Sequence, residues 1–107
     1  MNYCHKKSIC HRDIKAENVI IAKDNTIKII DFGLACKFKP EEGMNRCIGT
    51  MLYMAPEIAR KKQYNEKSDM WAIGIVIFVM LTGRIPYRER EPTKLNRLVK
   101  KGDYDQE

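Results

Sequence analysis

Hydrophobic positions fall unevenly along the 107 residues, and two stretches stand out. The first is "NVIIAKDNTIKII", residues 18 to 30, in which β-branched runs at Val19 to Ile21 and Ile27 to Ile30 flank the polar "KDNT". Asp24 and Asn25 are good turn formers, so the pattern predicts a β-hairpin. The second is "WAIGIVIFVML", residues 71 to 81. Eleven apolar-rich residues exceed the usual strand length, and Ser68 reads as an N-cap with Asp69 in the first turn and Gly83 at the end. The pattern therefore predicts a helix over 69 to 82 that is apolar all round and buried on every side. Met70, Met80 and Trp71 read as core packing. The run is too short for the roughly 20 residues of a membrane crossing.

The hairpin has a chemical consequence. Asn18 precedes its first strand and Asp31 follows its second, so antiparallel pairing brings both to one open end, where opposed Cα atoms lie about 4.5–5.5 Å apart. An amide carbonyl and a carboxylate are hard oxygen ligands of the kind Mg²⁺ accepts beside water and phosphate oxygens. Taken alone, the pair reads as ordinary turn chemistry, since Asn and Asp punctuate hairpin ends generally. Its neighbours tip the balance, because Asp13 stands five residues before Asn18 in "HRDIKAEN" and Asp31 opens "DFG".

Composition narrows the class. At 32% charged and 44% hydrophobic residues, the chain is of globular rather than disordered character and fits one small domain. Twenty Lys plus Arg against fourteen Asp plus Glu gives +6, with basic clusters at Arg60-Lys61-Lys62 and from Arg84 to Lys101. Interspersed acids at Glu89, Glu91 and Asp103 favour a solvated surface over a nucleic-acid patch. Cys4, Cys10, Cys36 and Cys47 form no C-x-x-C pair, which argues against a zinc site or secreted disulfide framework and for reduced thiols in a cytoplasmic or nuclear protein. "MNYCHKKSICHRD" lacks the apolar core of a signal peptide. No nucleic-acid or membrane partner is expected, and oligomeric state is left open.

The sequence resembles the eukaryotic protein kinases over nearly its whole length. His11-Arg12-Asp13-Ile14 through Asn18 is similar to the catalytic loop, Asp31-Phe32-Gly33 to the metal-binding triplet, and Ala55-Pro56-Glu57 to the end of the activation segment. Three motifs in order are far more specific than any one, and the likeness continues through "SDMWAIG" and "LTGRIPY". The fold class it implies is α+β, mainly α: a partial kinase domain over 1 to 107, of large-lobe type, with a short hairpin beside the catalytic loop.

The resemblance also implies roles. Asp13 accepts the proton of a substrate hydroxyl, and Lys15 sets positive charge against the transferring phosphoryl group. Asn18 and Asp31 hold Mg²⁺, and Lys15, Asn18 and Asp31 together face ATP. Lys15 and Thr50 are of the serine/threonine type, so the expected partner is a protein with a Ser or Thr acceptor. Ala16 departs from the family's usual proline, a change that loosens the loop without removing a chemical group. His11 and Phe32 are expected to pack together behind the loop, Asp69 to hold the loop backbone and Trp71 to lie beneath the activation segment, with a further helix from Pro92 to Lys101.

Arg12, Glu17, Glu41, Glu42, Thr50 and Glu57 are assigned to the activation segment and substrate side. In the family, the arginine matching Arg12 binds a phosphate on the activation loop, yet residues 34 to 49 contain no Ser, Thr or Tyr. Glu41 or Glu42 is therefore expected to face Arg12 in place of a phosphate. Glu57 is expected to be a buried carboxylate whose arginine partner falls outside the chain. No G-x-G-x-x-G loop precedes residue 11, so the sequence is expected to be a marginally stable fragment with ATP binding impaired. The competing reading is a catalytically dead kinase-like binding module. "FKPEEG", "YMAPEI" and "LTGRIPY" look most like the calcium/calmodulin-dependent group and its calcium-dependent relatives.

Overall fold

The chain begins with a short helix, Asn2–Lys6 (α1), and a two-residue strand, Ile9–Cys10 (β1), in a computed structural model that describes residues 1–87 and 91–102. Neither element has a periodic sequence signal. The predicted hairpin follows as Val19–Ile21 (β2) and Ile27–Ile29 (β3), paired Val19 to Ile29, Ile20 to Lys28 and Ile21 to Ile27. "KDNT" makes the turn for a visible reason. Asp24 accepts from the Thr26 amide at 3.1 Å and its hydroxyl at 2.6 Å, and Asn25 takes the left-handed conformation (φ 65°) that asparagine tolerates. Cys36–Lys37 (β4) then returns to pair antiparallel with β1, Ile9 opposite Lys37 and Cys10 opposite Cys36.

Two close backbone approaches pin the segment that follows. Met44 and Tyr64 exchange amide-to-carbonyl bonds of 2.7 Å, and a Cβ on Gly43 (φ 68°) would come within 2.7 Å of the Tyr64 carbonyl oxygen. Gly49 (φ 119°) lies where a Cβ would sit 2.9 Å from the Arg12 carbonyl oxygen, so only glycine lets this segment reach the loop beside Asp13.

Pro56–Ala59 (α2), Lys67–Thr82 (α3) and Pro92–Lys101 (α4) complete the described elements. The last agrees with the expected helix from Pro92. α3 begins two residues earlier than predicted, and Ser68 is not its cap. The Asn65 side chain accepts from the Lys67 amide at 3.0 Å, which draws Ser68 inside the helix, where it is buried against Cys10. Gly83 does end the helix, in the left-handed conformation (φ 72°).

The expectation that α3 is buried on every side is corrected. Ala72, Ile75 and Val76 pack with Ile14 and Tyr53 in one apolar cluster, but Met70, Ile77, Met80 and Leu81 are 53%, 51%, 71% and 81% exposed. Met70 and Met80 are thus not core residues among the described contacts, because the packing elements all lie on one face. Trp71 is half-buried and, with Leu52, touches both this cluster and a second one built on Cys10, Phe38, Met54, Ile58, Leu95 and Val99. Full burial of a side chain such as Val99 contributes about 1.5–3 kcal/mol, and the second cluster holds α2 and α4 together.

α4 carries its own start signal. Glu91 accepts from the Thr93 and Lys94 amides at 3.2 and 2.9 Å, Pro92 occupies the first turn, and Gly102 (φ 68°) closes the helix. The Lys94 amide, then that of Thr93, holds the Glu91 carboxyl below its ordinary value of 4.5. A depressed folded-state value makes this cap fully effective above pH 4.5 and lost as pH falls through the lower value. The protection of the Thr93 and Lys94 amides, measured as exchange relative to the intrinsic rate at each pH, should fall on acidification in that window, and Glu91→Gln should blunt the change. Of the acids expected between the basic clusters, Glu89 and Asp103 lie outside the described residues, as do Arg88 and Arg90.

Candidate active site

Asp69 organises the site from below. It is 1% exposed at the start of α3, and its carboxylate accepts from the His11 amide at 2.8 Å and the Arg12 amide at 3.0 Å. The loop backbone is held as expected. The grip matters because Arg12 sits at φ 68°, a left-handed conformation that costs a non-glycine residue of order 1 kcal/mol or more. A third donor was not foreseen. His5 on α1 places Nε2 2.9 Å from the same carboxylate. Its sequence signal is weak, a histidine six residues before His11 with no periodicity to mark it.

His11 is wholly buried and both its ring nitrogens are engaged. Nε2 donates to the Ile30 carbonyl at 2.9 Å, while Nδ1 accepts from the Asp13 amide at 3.1 Å. That pattern fits a neutral ring with the proton on Nε2, leaving no nitrogen for a substrate. The ring stacks edge-on against Phe32 with centroids 4.7 Å apart, and Phe32 is otherwise half open to solvent. His11 therefore joins the loop base to the end of β3, and aims the loop through the Asp13 amide.

Asp13, Lys15 and Thr50 converge above it. The Thr50 hydroxyl donates to Asp13 Oδ1 at 2.9 Å, Lys15 Nζ donates to Thr50 Oγ1 at 3.4 Å, and Lys15 Nζ lies 3.8 Å from Asp13 Oδ2. The side chains of Lys15 and Asp13 are 25% and 13% exposed, so the pair is accessible from one side while partly shielded from bulk water. A carboxylate held this way retains an oxygen able to take a proton, beside a cation able to face an anion.

Asn18 and Asp31 share the open end of the hairpin. The register sets Asn18 opposite Ile30, through the Ile30 amide donating to the Asn18 carbonyl at 2.9 Å, and so places Asp31 one position past the direct pair. Asn18 is buried, and its Nδ2 donates to the Asp13 carbonyl at 2.9 Å, which orients the amide and leaves Oδ1 without a bond inside the loop. Asp31, at φ 60°, uses Oδ1 to accept from the Gly33 amide at 3.2 Å and keeps its other oxygen. Two hard oxygens remain on rigidly held residues, a donor set that fits Mg²⁺ completed by phosphate and water.

The remaining assigned residues are more dispersed. Arg12 Nε donates to the Leu34 carbonyl at 2.8 Å, and among the described residues Arg12 makes no ion pair with Glu41 or Glu42. Those two glutamates are exposed on the turn closed by the Glu42 and Gly43 amides on the Lys39 carbonyl, beside an open pocket of about 270 Å³ that also involves Gln63 and Tyr64. The structure does not bring them to Arg12: their side chains stay exposed on the turn closed at Lys39, while Arg12 lies against the Leu34 carbonyl and the Tyr64 side chain. Glu17 is exposed on the 3₁₀ turn Ala16–Asn18. Glu57 is half-buried rather than buried, so the desolvation cost expected for it is reduced.

The protein kinase domain family matches this chain over residues 1–104. The chain is similar to sperm motility kinase 2B of Mus musculus, with 41% identity over 105 residues that cover 97% of this chain and 22% of that protein. It is similar also to the probable serine/threonine-protein kinase MARK-A of Dictyostelium discoideum, at 39% identity with 97% and 10% covered. A third relative is CBL-interacting serine/threonine-protein kinase 20 of Arabidopsis thaliana, at 36% identity over 108 residues, with 97% and 25% covered. The chain spans a quarter or less of the length of these relatives.

Proposed function

This chain belongs to the protein kinase family, and on that premise we propose that residues 10 to 50 carry the transfer site of a serine/threonine kinase, moving the ATP γ-phosphate to a protein hydroxyl. The observation that carries the reading is the Asp13–Thr50–Lys15 cluster, with its bonds of 2.9 and 3.4 Å. Thr50 fixes the Asp13 rotamer, so one carboxylate oxygen stays aimed at an incoming hydroxyl and takes its proton as the oxygen attacks. Lys15 sets its ammonium against the charge on the transferring group. Asn18 and Asp31 would hold Mg²⁺, which supplies charge neutralisation between the phosphates when bound. Phosphoryl transfer depends mainly on positioning and electrostatics, and a carboxylate and an ammonium held by one hydroxyl meet that need.

The finer reading is a partial domain of large-lobe type, in or near the calcium/calmodulin-dependent group by its strings "FKPEEG" and "LTGRIPY". The names of two relatives support the serine/threonine acceptor. A cytoplasmic or nuclear setting rests on four free thiols, which suit a reducing compartment.

Thr50 gives the discriminating experiment. A hydrogen bond to a charged group is worth about 1.5–3 kcal/mol, and each 1.36 kcal/mol is tenfold in rate. Thr50→Val in the full-length protein should thus lower kcat for a serine peptide by about 10–100-fold, whereas Thr50→Ser, which keeps the hydroxyl, should stay near the parent. Equal rates for the two variants would remove the cluster from the mechanism.

A further inference from the structure

Cys10 and Cys36 stand directly opposite one another in the β1–β4 pair. The Phe38 amide donates to the Ser8 carbonyl at 2.9 Å, which makes Cys10 and Cys36, two positions along the register, a hydrogen-bonded pair. The Cα atoms of such a pair lie about 5.5 Å apart, inside the roughly 4.4–6.8 Å that a disulfide spans. The side chains also share a face. Cys36 and Phe38 alternate on one side of their strand, and both pack with Cys10 and Tyr64 in the same apolar cluster, while Lys37 between them points to solvent. Neither sulfur takes part in the transfer chemistry. Cys10 Sγ lies 3.9 Å from the Ser68 hydroxyl, and Cys36 Sγ, accessible at the edge of the cluster, donates to the Lys37 carbonyl at 3.1 Å.

We propose that Cys10 and Cys36 form an oxidation site, a dithiol that peroxide converts reversibly to a cross-strand disulfide at the base of the catalytic loop. The two thiols divide the chemistry by their surroundings. Cys36 is half-buried and reachable; Cys10 is wholly buried, and burial, with the Asp69 carboxylate adding to it, pushes its thiol up to about 12. Peroxide therefore meets Cys36 first. The Cys36 sulfur attacks one peroxide oxygen, forming an S–O bond as the O–O bond breaks, and the proton released by the Cys36 thiol goes to the departing hydroxide, so the products are a sulfenic acid and water. The Cys10 sulfur then attacks the sulfenic sulfur; the S–S bond forms as S–O breaks, and the Cys10 proton leaves with the hydroxide as a second water. Two thiols are oxidised to one disulfide and one hydrogen peroxide is reduced to two waters. The resulting bond ties the residue before His11 to the strand that follows Asp31-Phe32-Gly33, so it joins the two segments that carry the site.

The chain lends itself to a direct test, since trypsin separates all four cysteines, into peptides 1–6, 8–12, 29–37 and 47–60. Full-length protein is treated with hydrogen peroxide, unfolded in denaturant so that every free thiol is reached, alkylated, digested without reductant and mapped by mass spectrometry. The 8–12 and 29–37 peptides should appear joined, with loss of alkylation at Cys10 that dithiothreitol restores. Exposed Cys47 serves as the comparison thiol. With Cys36→Ser, Cys10 should remain alkylated at the peroxide concentration that blocks it in the parent. Cys36 driven to sulfinic acid while Cys10 stays free, or Cys10 joined chiefly to Cys4 or Cys47, would overturn the proposal. The mapping of the unsubstituted protein decides between these outcomes whether or not the variant folds.

Discussion

Asp13→Asn is expected to slow phosphoryl transfer by about 10²–10⁴-fold, the usual contribution of a positioned general base. The substitution is close to isosteric, and the asparagine carbonyl can still accept from the Thr50 hydroxyl that now bonds Asp13 Oδ1 at 2.9 Å. The Asn18 amide reaches the Asp13 backbone carbonyl and is likewise untouched. Folding should therefore change little, while proton acceptance is lost. Because the missing interaction is made as the hydroxyl is deprotonated, kcat and kcat/KM should fall together with the KM for ATP near the parent value. Steady-state kinetics of the full-length protein, beside a melting curve of the same variant, test both halves. A variant that melts normally and transfers phosphate at the parent rate would show that Asp13 is not the base.

Asp69→Ala should produce the largest change in stability. Asp69 is 1% exposed, and its carboxylate accepts from the His11 and Arg12 amides and from His5 Nε2. Alanine leaves these donors facing a buried void. Each orphaned buried donor costs about 1–3 kcal/mol, so losing the acceptor of two amides and a histidine takes up much of a stability of about 5–15 kcal/mol. For a domain of this size each kilocalorie lowers Tm by about 4–8 °C. The damage should be local as well as global, because Arg12 at φ 68° loses the bond that holds its backbone. Thermal unfolding read by circular dichroism gives the first effect and amide exchange at His11 and Arg12 the second. Met80→Ser, at a site 71% exposed on the same helix, supplies a control expected to stay within about 0.5 kcal/mol. Matching melting curves for the two variants would mean that Asp69 is not the anchor of the loop.

The hairpin was legible because its information is local: two β-branched runs, an Asp-Asn turn, and a register that follows from the turn. The helix at 67–82 was legible for the same reason, although its start was misplaced because Asn65, rather than Ser68, meets the first amides. What sequence could not supply is contact between distant segments. Cys10 and Cys36 face each other across β1 and β4, His5 reaches Asp69 from 64 residues away, and neither pairing has a period or motif to announce it. The face of α3 bearing Ile77 and Leu81 shows the same limit in reverse. An unbroken apolar run signals burial without saying which side has a partner, and here the packing elements stand on one side.

The candidate site was read in the opposite way, through residue types whose spacing carries chemistry. Asp13, Lys15, Asn18 and Asp31 could be named from their spacing and the family they resemble, and the structure places Asp13, Lys15 and Thr50 within hydrogen-bond and ion-pair range. Charge alone was a poorer guide. Glu41 and Glu42 have the right sign for Arg12, but they stay exposed on their own turn, and Arg12 satisfies its Nε on the Leu34 carbonyl.

The most direct measurement offers one peptide scaffold bearing serine, threonine or tyrosine to the full-length protein with ATP and Mg²⁺, and identifies the phosphorylated residue by mass spectrometry. Phosphate is expected on serine and threonine, absent from tyrosine, and lost from all three with Asp13→Asn. Transfer to tyrosine at a comparable rate, or no transfer to any acceptor by a folded protein, would contradict the assignment of Asp13, Lys15 and Thr50 as a serine/threonine phosphoryl-transfer site.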